Sequence, residues 1–380
     1  MTGRLISTHF DTPAIQRGGW LDALRFIVAC LIVLHHFQGA GPIALAEGLH
    51  PAFEHTGFLL TNFFLMDSGY VLMRVYGAKV AGGRMSPGDF FARRFLRVVP
   101  AHLIVLASLV ILVTGSTIAG LPPRNPEWFA WDQLAAQATL TQGFGVYGGL
   151  GWNAPTWSIS ALIGCYLAFP WMLKAMRGWG PWTALAAGVG VYLLANETTW
   201  ALFGYPVYQM PMGLGFFRAV AIFFLGMCLA VVSERVWIAP RLAAVVGVLA
   251  ATVFFTLQFF GKNALASIGC IGLIILAAGA IPVVKRSRLV EQLALVSFSV
   301  FITNEVTRIA FFGVVNALES RLGVSETGQW ALWAISLPLA IGAAVAFHYV
   351  IDTPIQTRIK GWLDAKRRRP AVTAEPAIVG

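Results

Sequence analysis

The chain has 380 residues, of which 57% are apolar and only 12% are charged, and its mean hydropathy is +0.72. Soluble domains carry about a quarter charged residues, so the composition excludes a soluble globular protein and indicates a polytopic membrane protein. The four cysteines all lie in apolar segments without metal or redox spacing, so we predict no metal site.

Ten apolar segments are long enough, or nearly so, to cross a bilayer as helices. They span residues 20–38, 57–75, 98–118, 156–175, 181–196, 216–233, 238–259, 264–282, 292–315 and 329–350. The predicted fold class is an all-α integral membrane protein, a single bundle of about ten transmembrane helices. The predicted organisation is a short N-terminal segment at 1–19, the bundle at 20–352 and a basic tail at 353–380. The first apolar segment has no small-residue cleavage site, so we expect a retained helix rather than a signal peptide.

The basic residues orient this bundle. If the N-terminus is inside, 21 of the 27 Lys and Arg residues lie in cytoplasmic parts of the chain. Such a bias predicts that both termini are cytoplasmic. It also explains the net charge of +10 without nucleic acid, because basic loops favour an anionic inner leaflet. The KRRR run at 366–369 is interpreted as an anchor to those lipids.

The first apolar segment carries Arg25 and, eleven residues later, His36. Eleven helical steps return to nearly the same face with a rise of roughly 16 Å. Charged and titratable side chains are costly in hydrocarbon, so both residues are candidates for a functional site. A neutral imidazole at position 36 can accept a proton from an attacking hydroxyl. His35 is rotated by about 100°, and we interpret it as a packed or interfacial polar residue.

Two interpretations compete for Arg25. It lies only about 8 Å into the helix, so its side chain can extend back to the inner interface. Alternatively it pairs with Asp67, which falls near mid-membrane on the second helix, and such an ion pair would lower the cost of both charges. Exchanging the two charges should then restore what each single change loses.

Three motifs in order resemble the membrane-bound acyltransferase family 3. They are Arg25 with ten residues before His36, NFFLMDSGYVLM at 62–73 and FFARRFLRVVP at 90–100. Weaker similarities at 154–170, 223–227, 297–303 and 349–355 extend the resemblance over essentially the whole chain. The resemblance implies a ten-helix enzyme of a bacterial inner (plasma) membrane. It would move an acyl group, usually acetyl, from cytoplasmic acetyl-CoA to a hydroxyl of a glycan or another envelope molecule.

The resemblance also implies roles for particular residues. It selects His36 over His35 as the general base, in a direct attack of the acceptor on the thioester without a bound cofactor. The expected donor-binding residues are Arg25, Arg93, Arg94 and Arg97. From spacing alone, Arg94 and Arg97 share one helix face. They either bind phosphate through paired hydrogen bonds or anchor the inner end of the third helix.

A second group of residues is expected to support the site or to contact the acceptor. Its members are Asp67, Ser68, Trp157, Ser158, Glu305 and Arg308. Close helix packing is the alternative for Ser68, an interfacial anchor for Trp157, and mutual pairing for Glu305 and Arg308. The loop at 119–155 adds aromatic residues that can stack on sugar rings or lie at the membrane surface. They are Trp128, Trp131, Tyr147 and Trp152.

Two positions depart from the family pattern. Leu162, after Ala161, stands where many members carry glutamate, and Asn304 stands near a common histidine. These departures keep a non-catalytic family member as one alternative. A transporter or lipid-linked glycan exporter that uses intramembrane charges as a substrate path is another. Release of free CoA from labelled acetyl-CoA distinguishes an acyltransferase from both.

Overall fold

The computed structural model describes residues 6–7, 17–42, 50–123, 125–145, 151–261 and 264–368. Its strands are β1 (Ile6–Ser7) and β2 (Trp237–Ile238), an antiparallel pair with Ile6 opposite Ile238. All other regular structure in these residues is helical. The helices are α1 (Trp20–Gln38), α2 (His50–Ala81), α3 (Pro87–Ile118), α4 (Leu134–Thr139), α5 (Trp157–Ala175), α6 (Pro181–Phe203), α7 (Gly215–Arg235), α8 (Pro240–Phe259), α9 (Ala264–Ala280), α10 (Arg288–Leu322), α11 (Glu326–Phe347) and α12 (Thr353–Arg368).

Each predicted apolar segment coincides with one long helix, and the all-helical class is confirmed for the described residues. Seven helical stretches there are long and apolar enough to cross a membrane, which confirms a multi-pass protein. They are Trp20–Gln38, Pro87–Ile118, Ala154–Ala175, Met212–Arg235, Pro240–Phe259, Arg288–Leu322 and Glu326–Ala365. The predicted number of about ten is not reached by this criterion. Of the others, α9 has only 17 residues, while α2 and α6 include charged residues such as Asp67 and Glu197.

Several helices exceed the predicted apolar segments. α2, α3 and α10 have 32, 32 and 35 residues, because their polar ends continue the helix beyond the part that hydropathy detects. The predicted basic tail begins as α12, which follows α11 through a single π turn at His348–Asp352. Most of the predicted segment before the bundle, together with Tyr147 and the tail beyond Arg368, lies outside the described residues.

Helices α2 and α7 run parallel and pack along much of their length. At one end the guanidinium of Arg218 donates from Nε to Asn62 Oδ1 at 2.7 Å. Toward the other end Arg74 donates to the Ser233 hydroxyl at 3.3 Å. The two contacts lie about three helical turns apart, so polar bonds join this helix pair on both sides of its apolar middle.

Two glycines allow the backbones of α2 and α7 to touch between these bonds. A Cβ atom added at Gly69 would collide with the carbonyl oxygen of Phe223, and one added at Gly226 would collide with that of Met66. The contact is reciprocal, and small residues at a helix crossing are a common means of close approach in membranes. The glycine of the DSGY motif therefore has a packing role.

The contacts also give the relative directions of neighbouring helices. α5 runs parallel to α7, because Trp157 packs on Gly215 and Phe169 packs on Phe223. α6 joins them and returns in the opposite direction, which brings its last residue to 5.7 Å from the Phe217 ring centre. α3 likewise reverses α2 through the short connection at 82–86.

A proline inside α3 ties the C-terminal helix to the bundle. Pro100 has no N–H, so the carbonyl of Leu96 loses its helical partner. The amide of Gln356, in α12, donates to that carbonyl at 3.2 Å and to the carbonyl of Arg97 at 3.1 Å. α12 thereby satisfies the backbone groups that the proline exposes.

Candidate functional site

The imidazole of His36 lies at the end of α1, where α10 runs beside it. Its Nδ1 is 2.8 Å from Oδ1 of Asn304. The Asn304 amide nitrogen donates to the carbonyl of Phe301, so Oδ1 is the side that faces the histidine and can only accept. Nδ1 of His36 is therefore the donor, and Nε2 keeps its lone pair. His36 is only partly buried, and a hydroxyl that reached Nε2 would meet a proton acceptor.

The neighbouring His35 faces elsewhere, as its helical position predicts. Its Nδ1 is 3.3 Å from the side-chain amide nitrogen of Gln38, one turn further along α1. The interpretation of His35 as a packed or interfacial residue stays a prediction, and the residue provides a natural control for His36.

The predicted Glu305–Arg308 pair is present one turn beyond Asn304 on α10. Arg308 donates to the two carboxylate oxygens at 3.0 and 2.6 Å. Its guanidinium carbon lies 6.0 Å from the centre of the Trp128 ring, which brings one aromatic residue of the 119–155 loop to the site. Asn153 of that loop donates to the carbonyl of Ile302 at 3.2 Å. The loop therefore packs against the part of α10 that supports His36.

Trp157 and Ser158 are both buried, and their contacts are those of packing residues. The Trp157 ring lies 5.1 Å from the guanidinium carbon of Arg218, while the Ser158 hydroxyl donates to the carbonyl of Pro155 at 3.2 Å. Arg218 and its partner Asn62 are completely buried. The sequence prediction did not include this pair, although polar residues inside apolar segments are the signal that would have identified it.

The predicted ion pair between Arg25 and Asp67 is also present. Arg25 donates from Nε at 2.7 Å and from Nη2 at 3.2 Å to the Asp67 carboxylate. A second carboxylate, Asp22, accepts from Nη1 at 2.7 Å, and its other oxygen accepts from the backbone N–H of Gly18 at 2.7 Å. The spacing of three on α1 could have indicated Asp22. Two carboxylates surround this one cation, which favours the ion-pair interpretation of Arg25 over phosphate binding.

The three arginines of α3 have three different partners. Arg93 lies 3.3 Å from Asp364, and Arg97 donates from Nη1 to both Asp352 oxygens at 2.9 and 3.1 Å. Arg94 donates to the hydroxyl of Tyr76, and its guanidinium carbon lies 4.6 Å from the centre of that ring.

A residue that the sequence prediction did not include connects the arginines with the DSGY motif. Tyr166, on α5, lies near Ser68 and within electrostatic reach of Arg94 and Arg97. Ser68 follows Asp67 directly, so Tyr166 lies between the arginines of α3 and the Arg25–Asp67 pair. We call these residues the inner centre.

The residues around His36, Asn304, Glu305 and Arg308 form the outer centre, roughly 16 Å from Arg25 along α1. Between the two centres the rings of Phe64 and Phe301 pack at a centroid distance of 6.1 Å. In the part of the chain that the structure describes, no group of three or more His, Cys, Asp or Glu residues could hold a metal ion.

Comparison with known proteins agrees with the motifs. A family model described as an acyltransferase domain, that of acyltransferase family 3, matches residues 19–349. Acyltransferase MdmB of Streptomyces mycarofaciens is 29% identical over 168 residues, which are 43% of this chain and 40% of that protein. Protein 2 in picA locus of Rhizobium radiobacter is 31% identical over 102 residues, 27% of this chain and 49% of that protein.

The matched stretch thus spans less than half the length of either relative. No solved structure matches the chain. The family model, in contrast, covers both centres and every helix from α1 to α11. The chain belongs to acyltransferase family 3.

Proposed function

We propose that the protein is a membrane acyltransferase, an O-acetyltransferase in its simplest form. It transfers the acyl group of acyl-CoA to a hydroxyl of a glycan or another molecule of the cell envelope. The observation that carries the proposal is the hydrogen bond between His36 and Asn304, which leaves Nε2 of a partly exposed imidazole as a proton acceptor. No bound cofactor is required, because the acyl-CoA is itself a substrate.

We propose further that all ten long helices cross the membrane and that both termini are cytoplasmic. The helix directions support this: α1, α3 and α10 run one way, while α2, α5 and α7 run the other. α6 must then cross between α5 and α7 despite its polar residues. The basic residues at the inner ends of the helices agree with this orientation. In a bacterial inner membrane, Arg94 and Arg97 would face the cytoplasm and His36 would face the periplasmic half.

The proposed reaction uses His36 twice. Nε2 takes the proton of the acceptor hydroxyl while the hydroxyl oxygen attacks the thioester carbonyl carbon. The carbon–sulfur bond then breaks, and the CoA thiolate takes the proton back from the imidazolium. Throughout the reaction Nδ1–H keeps its hydrogen bond to the Asn304 oxygen, so the ring keeps its orientation. No acyl-enzyme intermediate forms, and both substrates remain intact except at the exchanged bond.

The donor would enter beside Arg94 and Arg97, whose guanidinium groups suit phosphate. Arg25 would keep the inner centre together through its two carboxylates. On the acceptor side, Trp128 lies beside Arg308 and offers a ring on which a sugar can stack. Membrane lipids complete the surroundings, and nucleic acid has no part in this function.

The test compares three forms of the protein in lipid vesicles and in cells. Release of free CoA from labelled acetyl-CoA is measured in the vesicles, and the masses of envelope glycans are compared in the cells. We expect His36→Ala to lower transfer by about 10²- to 10⁴-fold, while His35→Ala keeps it. Transfer that persists without His36 would remove this base from the mechanism. Glycan export without CoA release would instead indicate the transporter class.

A further inference from the structure

The π turn after α11 places a buried carboxylate against α3. Asp352 is 1% exposed, and both of its oxygens accept from Nη1 of Arg97. The Arg97 side chain keeps 31% of its surface exposed. The buried acid therefore holds one terminal nitrogen, Nη1, of an arginine whose side chain remains partly exposed.

Arg97 is fixed by further contacts besides Asp352. Its guanidinium carbon lies 4.8 Å from the centre of the Phe298 ring of α10. Gln356 holds the backbone carbonyl of Arg97 from α12. Within the described part of the chain, Nε and Nη2 have no hydrogen-bond partner, so two donors of an immobilised guanidinium remain available.

A neighbouring ion pair shows what is distinctive about Asp352. Arg93 makes a single contact of 3.3 Å with Asp364, whose side chain is 45% exposed. Such exposed pairs contribute little and are easily replaced by solvent or a ligand. A buried carboxylate is costly to leave unpaired, so we expect the Arg97–Asp352 ion pair to persist when a ligand binds.

The charges beside Arg97 complete an anion site. The Arg97–Asp352 pair is neutral overall, whereas Arg94 bonds to Tyr76, which is neutral. Arg94 therefore supplies the net attraction, and Arg97 supplies donors of fixed direction. Both arginines lie within electrostatic reach of Tyr166, so they are close to the same part of the inner centre.

We infer that Asp352 is a positioning residue of the donor site, which holds Arg97 so that Nε and Nη2 bind a phosphate group of the CoA thioester. The identity of the ligand rests on the proposed function. The inference extends the donor site to the π turn at His348–Asp352 and to α12.

The test measures binding of CoA and of pantetheine, which lacks the phosphates, to the purified full-length protein. For Asp352→Asn we expect CoA to bind about 10-fold more weakly, as for the loss of one well-placed charge-assisted contact, while pantetheine binds as before. Asp364→Asn is the matched control, and its CoA affinity should stay within about 2-fold of wild type. Equal weakening for CoA and pantetheine, or none, would overturn the inference.

A second pair of variants keeps the test valid if Asp352→Asn does not accumulate. Arg97→Gln and the double variant Arg97→Gln/Asp352→Asn should lose the same affinity for CoA, because Asp352 acts through Arg97. A double variant that binds CoA like wild type would contradict the inference. Binding needs no turnover, so wild-type protein that binds CoA but transfers nothing would remove the proposed function alone.

Discussion

At the scale of single residues, one amide decides the chemical form of the imidazole at position 36. The family resemblance leads us to expect a histidine near position 304, where this chain has Asn304, and the sequence alone leaves open whether this change abolishes activity. In the structure the side-chain oxygen of Asn304 accepts a hydrogen bond from Nδ1 of His36. The departure therefore preserves a partner for the proposed base. Leu162, the second departure, packs against the apolar core.

We expect Asn304→Leu to reduce the rate of acyl transfer by up to about 10²-fold, part of what a general base contributes. The substitution removes the acceptor that fixes the tautomer of His36 but leaves the arginines of α3 untouched. The Michaelis constant for acetyl-CoA should therefore not change. Steady-state kinetics with varied acetyl-CoA measure both quantities. A wild-type rate in the variant would show that the hydrogen bond has no part in catalysis.

The inner ion pairs give a stability prediction with a definite asymmetry. Arg25→Gln leaves Asp22 and Asp67 together without their cation, and breaking a buried pair costs about 3–5 kcal/mol. Asp67→Asn leaves Arg25 paired with Asp22, so its cost should be smaller. Thermal unfolding in detergent should rank the two variants in that order. The reverse order would mean that Asp22 does not share the charge of Arg25.

The same geometry changes the charge-exchange test. Exchange of Arg25 and Asp67 would place a carboxylate at position 25, one turn from Asp22. The two like charges would repel, so we now expect the exchange not to restore stability.

Local spacing predicted some of these contacts and missed others. The Glu305–Arg308 pair follows from a separation of three on one helix, and the Arg25–Asp67 pair follows from depth in the membrane. His36 and Asn304 are 268 residues apart, and Arg97 and Asp352 are 255 apart. Periodicity carries no information on which distant helices adjoin, so their partners required the structure.

At the scale of helices, the crossing of α2 and α7 leaves no room for a side chain at Gly69 or Gly226. A methyl group at Gly226 would overlap the carbonyl oxygen of Met66, and the backbone cannot withdraw without separating the helices. Hydropathy predicted both helices but not their contact. It also underestimated the helix lengths, because the charged ends of α2 and α10 remain helical outside the apolar stretch.

We expect Gly226→Ala to lower the free energy of unfolding by about 1–3 kcal/mol through overpacking. The matched control is Gly313→Ala in α10, where an added methyl meets no atom within 4 Å. That change should be neutral or stabilising, since alanine is favoured over glycine in helices by about 1 kcal/mol. Thermal unfolding of both variants makes the comparison. Equal effects would contradict the importance of the crossing.

At the scale of the whole molecule, the two centres lie toward opposite ends of the bundle. We propose from the basic residues which end is cytoplasmic, and the relative directions of the helices are compatible with that proposal. Length and composition identify seven candidate spans. α9 is too short for this criterion, and polar residues of the candidate site such as Asp67 lower the mean hydropathy of α2.

This orientation predicts a sided reaction. Inverted vesicles, whose cytoplasmic face is outside, should release CoA from added acetyl-CoA, whereas right-side-out vesicles should not until a detergent opens them. The measurement is the rate of CoA release in each preparation, with His36→Ala vesicles as the background. Equal rates in intact vesicles of both kinds would contradict the proposed direction of transfer.

The contact of Phe64 with Phe301 bears on how well the membrane around this protein retains its proton gradient. Each ring lies one turn from a polar centre, Phe64 before Asp67 and Phe301 before Asn304, so the pair separates them by depth. A membrane that stores a voltage cannot tolerate a continuous column of water between its two faces. We expect these two packed rings to hinder such a column when no substrate is bound. Replacing both rings with alanine should therefore increase proton leakage across energised vesicles, even in the absence of any substrate.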